Sequence, residues 1–425
     1  MSILWLVLAL SCLLLQEVQS NKYEGYKIYE LAKPKARIAV LDQALAALSL
    51  NDTLYEVFSS GSQPARIMVH PEEQLNFVQL LDGHALSYRV LNSNVGRTLR
   101  REFATDRKLR NKFPYRGNGR LGTERFYSHG EINQYIEDLA QEHPRRVFVK
   151  TVGKSYERRL MKTVTITNGD GRRNKNVIFV DGGFHAREWI SPAAVVYLID
   201  ELVNNLSENA DLLLDYDWVI LPVVNPDGYE YTQLSEDTRM WRKTRKPSST
   251  DCIGTDPNRN FDFHWNEQGA SQNPCADTYA GSKAFSEPEA QVVSDLIHSY
   301  AARGKMYLTL HSFGPYILYP WGWSSDLPDT VEDLHEVAQA GFDAILADTG
   351  TFYEIGSSTN VLYVAAGASD DYAFNAGFPI SFTMELPPGG TGFDPPASAI
   401  DHMVKETFVG IAAMARKVVE KYPLA

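Results

Sequence analysis

The chain has 425 residues, 41 basic and 53 acidic side chains, and a net charge of −12. Single cores stop growing near about 250–300 residues, so more than one domain is expected. The acidic balance argues against a nucleic-acid partner and gives no electrostatic reason to bind anionic membranes, and a hydrophobic content of 44% argues against global disorder.

The first segment, "MSILWLVLALSCLLLQEVQS", is apolar from Ile3 to Leu15 and places the small residues Val18 and Ser20 where a signal peptidase reads. It lacks a Lys or Arg, and its apolar core is too short to span a bilayer comfortably. Residues 1–20 therefore read as a cleaved secretion signal, with Asn21 first in a secreted, extracellular product. Cys12 leaves with the signal, and the remaining lone pair in a secreted chain reads as one disulfide rather than two free buried thiols. Asn51-Asp-Thr53 and Asn205-Leu-Ser207 fit the glycosylation acceptor pattern.

Residues 21–96 alternate in a recognisable order. "YKIYEL" reads as a strand and Ala36–Leu48 as an amphipathic helix, followed by the strands "LYEVF" and "ARIMVH" around the turn "SSGSQP". Pro71 opens a helix through "EEQLNFVQLLDGH", and "LSYRVLNSNV" returns as a strand. That β-α-β-β-α-β order is a small ferredoxin-like α+β domain. Residues 97–120 then carry Arg97, Arg100, Arg101, Arg107, Lys108, Arg110, Lys112, Arg116 and Arg120, with little apolar periodicity after Phe103. Their composition and their place between two domains predict a connector cut by a trypsin-like protease between Arg110 and Arg120.

From 121 to 425 strands and helices alternate, which predicts one α/β domain. "RVFVKTVG" and "MKTVTITN" read as antiparallel neighbours. "NVIFVDGG", "DWVILPVVN", "KMYLTLHS" and "ISFTMEL" are dense enough to be central strands buried on both faces. Helices are expected at Ile132–His143, Ser191–Asn205, Glu287–Ala302, Val331–Thr349 and Ile400–Tyr422. Open α/β sheets bind ligands at the carboxyl ends of their strands, and His185, Asn225, His311 and Glu385 all stand at such ends.

A lone H-x-x-E, as in "FHAREW", carries little weight. His311, ending another central strand, changes the reading. Two histidines and Glu188, with a position left open, make a catalytic zinc site, because neutral imidazole and carboxylate suit Zn²⁺. A zinc-bound histidine also needs an acceptor on its other nitrogen, and Asp256 in "DPNRNFD" is the candidate. Such a site requires a base, for which Glu385 at a buried strand end qualifies. It also requires a cation for a developing oxyanion, for which Arg242 in "MWRKTR" qualifies. Asn258 and Arg259 place an amide beside a guanidinium fork suited to gripping a carboxylate. Each arginine taken alone reads as an exposed salt bridge.

Together these stretches resemble the secreted zinc metallocarboxypeptidases of the pancreatic A/B type, in zymogen form. "HAREW", "NPDGY", "MWRKTR", "DPNRNF", "LHSFGPYILYPWG", "VLYVAAGASDD" and "SFTMEL" occur in order, and the resemblance covers nearly the whole chain. This family is itself a standard example of a His₂Glu zinc site, so that part of the assignment is resemblance as well as derivation. The resemblance implies the zinc carboxypeptidase fold, a mixed parallel and antiparallel sheet flanked by helices. It implies one Zn²⁺ per chain on His185, Glu188 and His311, Glu385 as general base, and Arg242 at the oxyanion. It gives Asn258, Arg259 and Tyr363 to the substrate's terminal carboxylate and Arg187 to the residue upstream of the cut. It further implies a Cys252–Cys275 disulfide, a pro-domain covering the cleft until removed, peptide or protein C-termini as substrates, and a monomer.

In "GASDDY", Asp370 stands where the family sets side-chain selectivity, and a carboxylate there favours Lys or Arg. Ser358 and Gly322 are expected along the wall. In the alternative, Asp370 turns into the protein to cap a loop, leaving a mixed or apolar preference. A non-catalytic peptide-binding relative is a further reading, although it would tolerate the loss of residues that are all present. The chain departs from the family pattern at Phe313, commonly a tyrosine, and at "LPPGGTGF" after Glu385.

Overall fold

The computed structural model describes residues 21–424 apart from 33–40, 42–43, 45–47, 49–53, 60–63 and 118. The expected signal, the Asn51 acceptor site, most of the Ala36–Leu48 helix and the middle of the "SSGSQP" turn lie outside the described residues.

The amino-terminal unit contains β1 (Lys27–Leu31), β2 (Tyr55–Ser59), β3 (Ala65–Val69), helix α1 (Gln74–Gly83) and β4 (Tyr88–Asn92). They form a sheet of order β2-β3-β1-β4, antiparallel throughout. Side chains alternate across a strand, so Tyr29, Leu31, Ile67 and Val69 pack with Phe77 and Leu81 in one core. Ile28 and Met68 face the other way, toward Met240, Phe313 and Phe393 of the following domain.

Much of the segment expected as a basic connector, 97–120, is helical, in α2 (Val95–Lys112). Asn94 caps it, its side chain accepting from the Arg97 amide at 2.9 Å. Val95 and Leu99 are buried, and Phe103 continues their spacing to lie 6.2 Å from the Trp189 ring centroid. Three apolar residues four apart suffice to seat a helix whose other faces are basic. The expected cleavage region, 110–120, begins in its last turn.

The larger unit adds, in chain order, α3 (His129–Glu142), β5 (Val147–Lys154), β6 (Leu160–Ile166), β7 (Asn176–Gly182), α4 (Ile190–Asn204), β8 (Tyr216–Leu221) and α5 (Pro226–Thr232). These are followed by α6 (Pro288–Tyr300), β9 (Gly304–Ser312), β10 (Tyr316–Tyr319) and α7 (Val331–Thr349). Last come β11 (Glu354–Ser357), α8 (Ser369–Asn375), β12 (Ile380–Leu386) and α9 (Ala397–Lys421). The sheet order is β11-β10-β12-β9-β7-β8-β6-β5. The four central strands β12, β9, β7 and β8 run parallel, while β5, β6 and β10 join antiparallel neighbours. The sheet is thus mixed.

Both faces of the sheet are covered. Ile178, Val180, Trp218, Leu308 and Phe382 pack with α3, α4, α7 and α9. Phe179, Val219, Leu221 and Tyr307 pack with α6 and α8. The short elements β10, β11, α5 and α8 were not anticipated, since four to seven residues carry too little periodicity to read. Cys252 and Cys275 are joined by a disulfide, with Cα atoms 5.1 Å apart. Among the described residues no helix is long and apolar enough to cross a membrane.

Phe382, fully buried in β12, carries one expected outcome. Phe382→Ala should cost about 3–5 kcal/mol through lost burial and the cavity left behind. A urea midpoint unchanged from that of the parent chain would show that this strand is not central to the core.

Candidate metal centre and active site

The turn after β7 is set by Gly183, whose φ of +70° belongs to the left-handed region that glycine tolerates. A Cβ there would lie 3.0 Å from Pro192 Cγ and 3.4 Å from Val223 Cα. Ser191 locks the turn onto the sheet, accepting from the Gly183 amide at 2.9 Å and donating to the Leu310 carbonyl at 2.5 Å. The turn thereby lifts His185 and Glu188 over the ends of β7 and β9. His311 ends β9, and β12 pairs with it in parallel so that Glu385 lies directly beside His311.

Nδ1 of His185 is 2.7 Å from Glu188 Oε1, and Nδ1 of His311 is 3.1 Å from Glu188 Oε2. The two Nδ1 atoms are 3.2 Å apart. All three side chains are buried, and one donor atom from each lies within 4.8 Å of the others. Two imidazole nitrogens and a carboxylate turned to one point fit a tetrahedral divalent cation with a position left open. Burial opposes charge on Glu188, but His185 and His311 outweigh it and hold the carboxyl well below its usual range.

Asp256, fully buried, ties this centre to the rest of the site. Its Oδ1 lies 3.0 Å from His185 Nε2 and accepts from the Asn258 amide at 2.9 Å. Its Oδ2 accepts from Arg242 Nε at 3.1 Å and Nη2 at 2.8 Å. Burial disfavours the Asp256 carboxylate, yet Arg242 and then His185 hold its pKa well below the ordinary value. The Arg242 guanidinium also comes within 3.9 Å of Glu188. Glu385 is the contrasting acid: Oε2 is buried with no hydrogen-bond partner. Burial pushes its pKa up to about 7, with His311 pulling down and Glu188 pushing up.

Asn258 and Arg259 follow Asp256 directly. The Asn258 side-chain oxygen accepts from the Ser369 amide at 2.8 Å, while Arg259 donates to Gly269 O at 3.0 Å and Asn258 O at 2.8 Å. The Arg259 guanidinium carbon is 5.9 Å from the Tyr363 ring centroid, and Tyr363 is half-exposed. Asp370 and Asp371, both buried, point to different partners. Asp371 accepts from the amides of Gly322 at 2.9 Å and Trp323 at 3.0 Å, so it is Asp371 that caps the loop. Asp370 is hydrogen-bonded to Thr383, two residues before Glu385 on β12, and lies within electrostatic reach of His311. Burial raises its pKa, and the Thr383 bond opposes the rise. A Cβ built on Gly322 would lie 3.6 Å from Ser358 Cβ and 3.4 Å from Asp371 Oδ2, which places those three residues together.

Arg187 is held from both domains. Its Nη1 donates to Glu56 on β2, to Met240 O at 3.2 Å and to Asp277 Oδ2 at 3.2 Å. Phe58, also on β2, lies 5.3 Å from Phe393 and 6.2 Å from Phe313, ring to ring. Helix α2 contributes Glu102, which accepts from Arg239 Nε at 3.1 Å. Arg239 is fully buried, stacks 3.7 Å over Trp189 and donates to the carbonyls of Arg187 and Phe393. Sequence reasoning missed Glu56, Asp277, Asp371, Arg239 and Glu102. A signal existed for Glu56: Tyr55 and Val57 face the pro-domain core, so their neighbours face outward. Asp277 sits in an irregular stretch after Cys275, where no period can mark it.

Residues 132–410 match the family model described as zinc carboxypeptidase, and residues 43–102 match that described as carboxypeptidase activation peptide. The chain is 46% identical to carboxypeptidase B of Astacus astacus over 70% of this chain and 98% of the relative. It is 38% identical to carboxypeptidase B of Helicoverpa zea, covering 97% of each. The crystal structure of carboxypeptidase A from Helicoverpa armigera superposes with a TM-score of 0.84 at 32% identity, over 94% of this chain and 98% of that one.

The two glutamates near the metal point should separate cleanly. Glu188→Ala should lose its bound zinc on dialysis, whereas Glu385→Gln should keep it, both read by elemental analysis. Full zinc occupancy in Glu188→Ala would remove that residue from the ligand set.

Proposed function

Because this chain belongs to the zinc carboxypeptidase family and carries that family's activation peptide, we propose that it is the secreted zymogen of an enzyme that removes a C-terminal lysine or arginine from peptides and proteins. Zinc-dependent hydrolysis of a C-terminal peptide bond and activation by proteolysis follow from the family. The choice of residue, the activating trypsin-like protease, the secreted location and the monomeric state are our reading.

His185, Glu188 and His311 would hold the zinc ion, which when bound supplies a Lewis acid and acidifies water. Glu385, adjacent in register to His311 and raised by burial, takes the proton of the attacking water and delivers it to the leaving amine. Arg242, oriented through two bonds to Asp256, stabilises the developing oxyanion. Asn258, Arg259 and Tyr363 grip the terminal carboxylate, which confines cleavage to the last residue. The observation that carries the basic preference is the division of labour between Asp370 and Asp371. Asp371 is spent on the Gly322 and Trp323 amides, while Asp370 stays on the β12 face that carries Thr383 and Glu385. A buried carboxylate gains most from a cationic partner.

Latency is the first expected outcome. The intact 21–425 chain should be much less active than the chain cut between 110 and 120, with cut Glu385→Gln slower than the cut parent by about 10²–10⁴-fold in kcat. Equal activity before and after trypsin, with cleavage confirmed by mass, would remove the inhibitory role of the pro-domain.

Selectivity is the second. For otherwise identical peptides ending in Arg, Lys, Phe or Leu, kcat/KM should favour Arg and Lys by about 10–100-fold, the worth of one charged hydrogen bond. Asp370→Ile should reverse the order. A parent enzyme that prefers Phe or Leu would overturn the basic reading and leave the carboxypeptidase itself standing.

A further inference from the structure

We infer that Asn205 is an N-glycosylation site and that the mature enzyme carries its sugar there, at the end of the sheet opposite the active site. This rests on the secretion reading and not on the carboxypeptidase chemistry. Asn205-Leu206-Ser207 is the one N-x-S/T stretch after residue 120, so it stays with the enzyme when cleavage removes the pro-domain and Asn51. The fold leaves this asparagine free where its neighbours are employed. Asn204 donates to Asp200 Oδ1 at 2.8 Å, and the buried Asn209 donates to the carbonyls of Glu201 and Asn205, each at 3.2 Å. The Asn205 backbone closes the turn, its amide donating to Glu201 O and its carbonyl accepting from the Glu208 amide, both at 3.1 Å. Its side-chain amide has no hydrogen-bond partner among the described residues. Asn205 is half-buried, Leu206 packs against the large core, and Ser207 and Glu208 are exposed.

The position keeps a bulky group clear of the chemistry. Helix α4 starts directly after Trp189, beside the metal-binding turn, and at about 1.5 Å per residue its far end lies about 20 Å away. From there the chain reaches Tyr216, the first residue of β8, which pairs with Asn176, the first residue of β7. Asn205 thus sits toward the amino ends of the parallel strands, whereas His185, His311 and Glu385 stand at their carboxyl ends. The pro-domain and α2 dock at that carboxyl end too, with Glu56 on Arg187 and Phe103 against Trp189. In the modification, Asn205 Nδ2 bonds to the anomeric carbon of an oligosaccharide carried on a lipid pyrophosphate. The carbon–oxygen bond to the pyrophosphate breaks, that group leaves with the electron pair, and the amide gives up one proton. The lipid-linked donor belongs to the secretory route, and Ser207 supplies the hydroxyl that the acceptor pattern requires. A sugar here is bulky, solubilising and confined to the surface, away from cleft and pro-domain.

The test uses the full chain with its own leader, secreted by cultured eukaryotic cells and cut with trypsin, and weighs the fragment that carries Asn205. That fragment should exceed its polypeptide mass by one N-linked oligosaccharide. An amidase that cleaves the Asn–sugar bond should remove the excess and leave an aspartate at position 205. Asn205→Gln and Ser207→Ala should each lose the excess completely, with zinc content and kcat/KM at the parent's values. A secreted fragment at its bare polypeptide mass, or an excess that survives in Asn205→Gln, would overturn the inference. If the chain's own leader delivers no protein to the medium, the secretion reading fails instead, and the same weighing of residues 21–425 behind another secretion leader decides Asn205.

Discussion

The site hangs on one buried carboxylate. Asp256 holds His185 through Oδ1 and Arg242 through Oδ2, and its bond to the Asn258 amide fixes the start of the turn that carries Asn258 and Arg259. A single buried group therefore sets the ring orientation of His185, the direction of Arg242 and the entry of the following turn. Arg242 opposes the charge of Asp256 and both histidine rings contact the Glu188 carboxylate, whereas Glu385 Oε2 is buried without a hydrogen-bond partner. Removing Arg242 or Asp256 would leave the other buried without its partner, which couples their contributions instead of making them a sum of pairs.

The sheet supplies the other constraint. Parallel pairing of β12 with β9 puts Glu385 beside His311, and Leu310, one residue earlier on β9, pairs with Gly182 at the end of β7. Strands buried on both faces have no freedom to slip, since a shift of one residue would turn Phe382 and Met384 out of the core and Glu385 into it. The chemistry is thus fixed by register. Loops add what the strands cannot: Gly183 turns the chain back sharply enough for His185 and Glu188 to face the strand ends.

Much of this was legible in the sequence because it follows periods and strand ends. The dense apolar runs marked the four central strands, and the polar residues terminating them marked His185, His311 and Glu385 as worth explaining. Asp256 could be named from what a zinc-bound histidine needs on its second nitrogen. Other features were hidden for definite physical reasons. The helical form of the basic connector was hidden because Val95, Leu99 and Phe103 are outnumbered by charged residues, and their spacing becomes clear against Trp189. Asp370 and Asp371 are adjacent and chemically identical, so only their partners distinguish the loop cap from the acid on the β12 face. Asp277 acquires meaning solely from Arg187, ninety positions away in sequence.

The intact chain bears on how latency arises. With the pro-domain docked, His185, Glu188 and His311 already converge, Asp256 already orients Arg242, and Asn258 and Arg259 already stand together. What the pro-domain contributes is Glu56 and Phe58 against Arg187, Phe313 and Phe393, with Glu102 on Arg239 behind them. The departure at Phe313 lies in this seam, its ring centroid 6.2 Å from that of Phe58, 4.8 Å from that of Phe393 and 5.3 Å from the Arg66 guanidinium carbon. Phe313 therefore lies where the two domains pack, in one apolar cluster with Ile28, Met68 and Phe393.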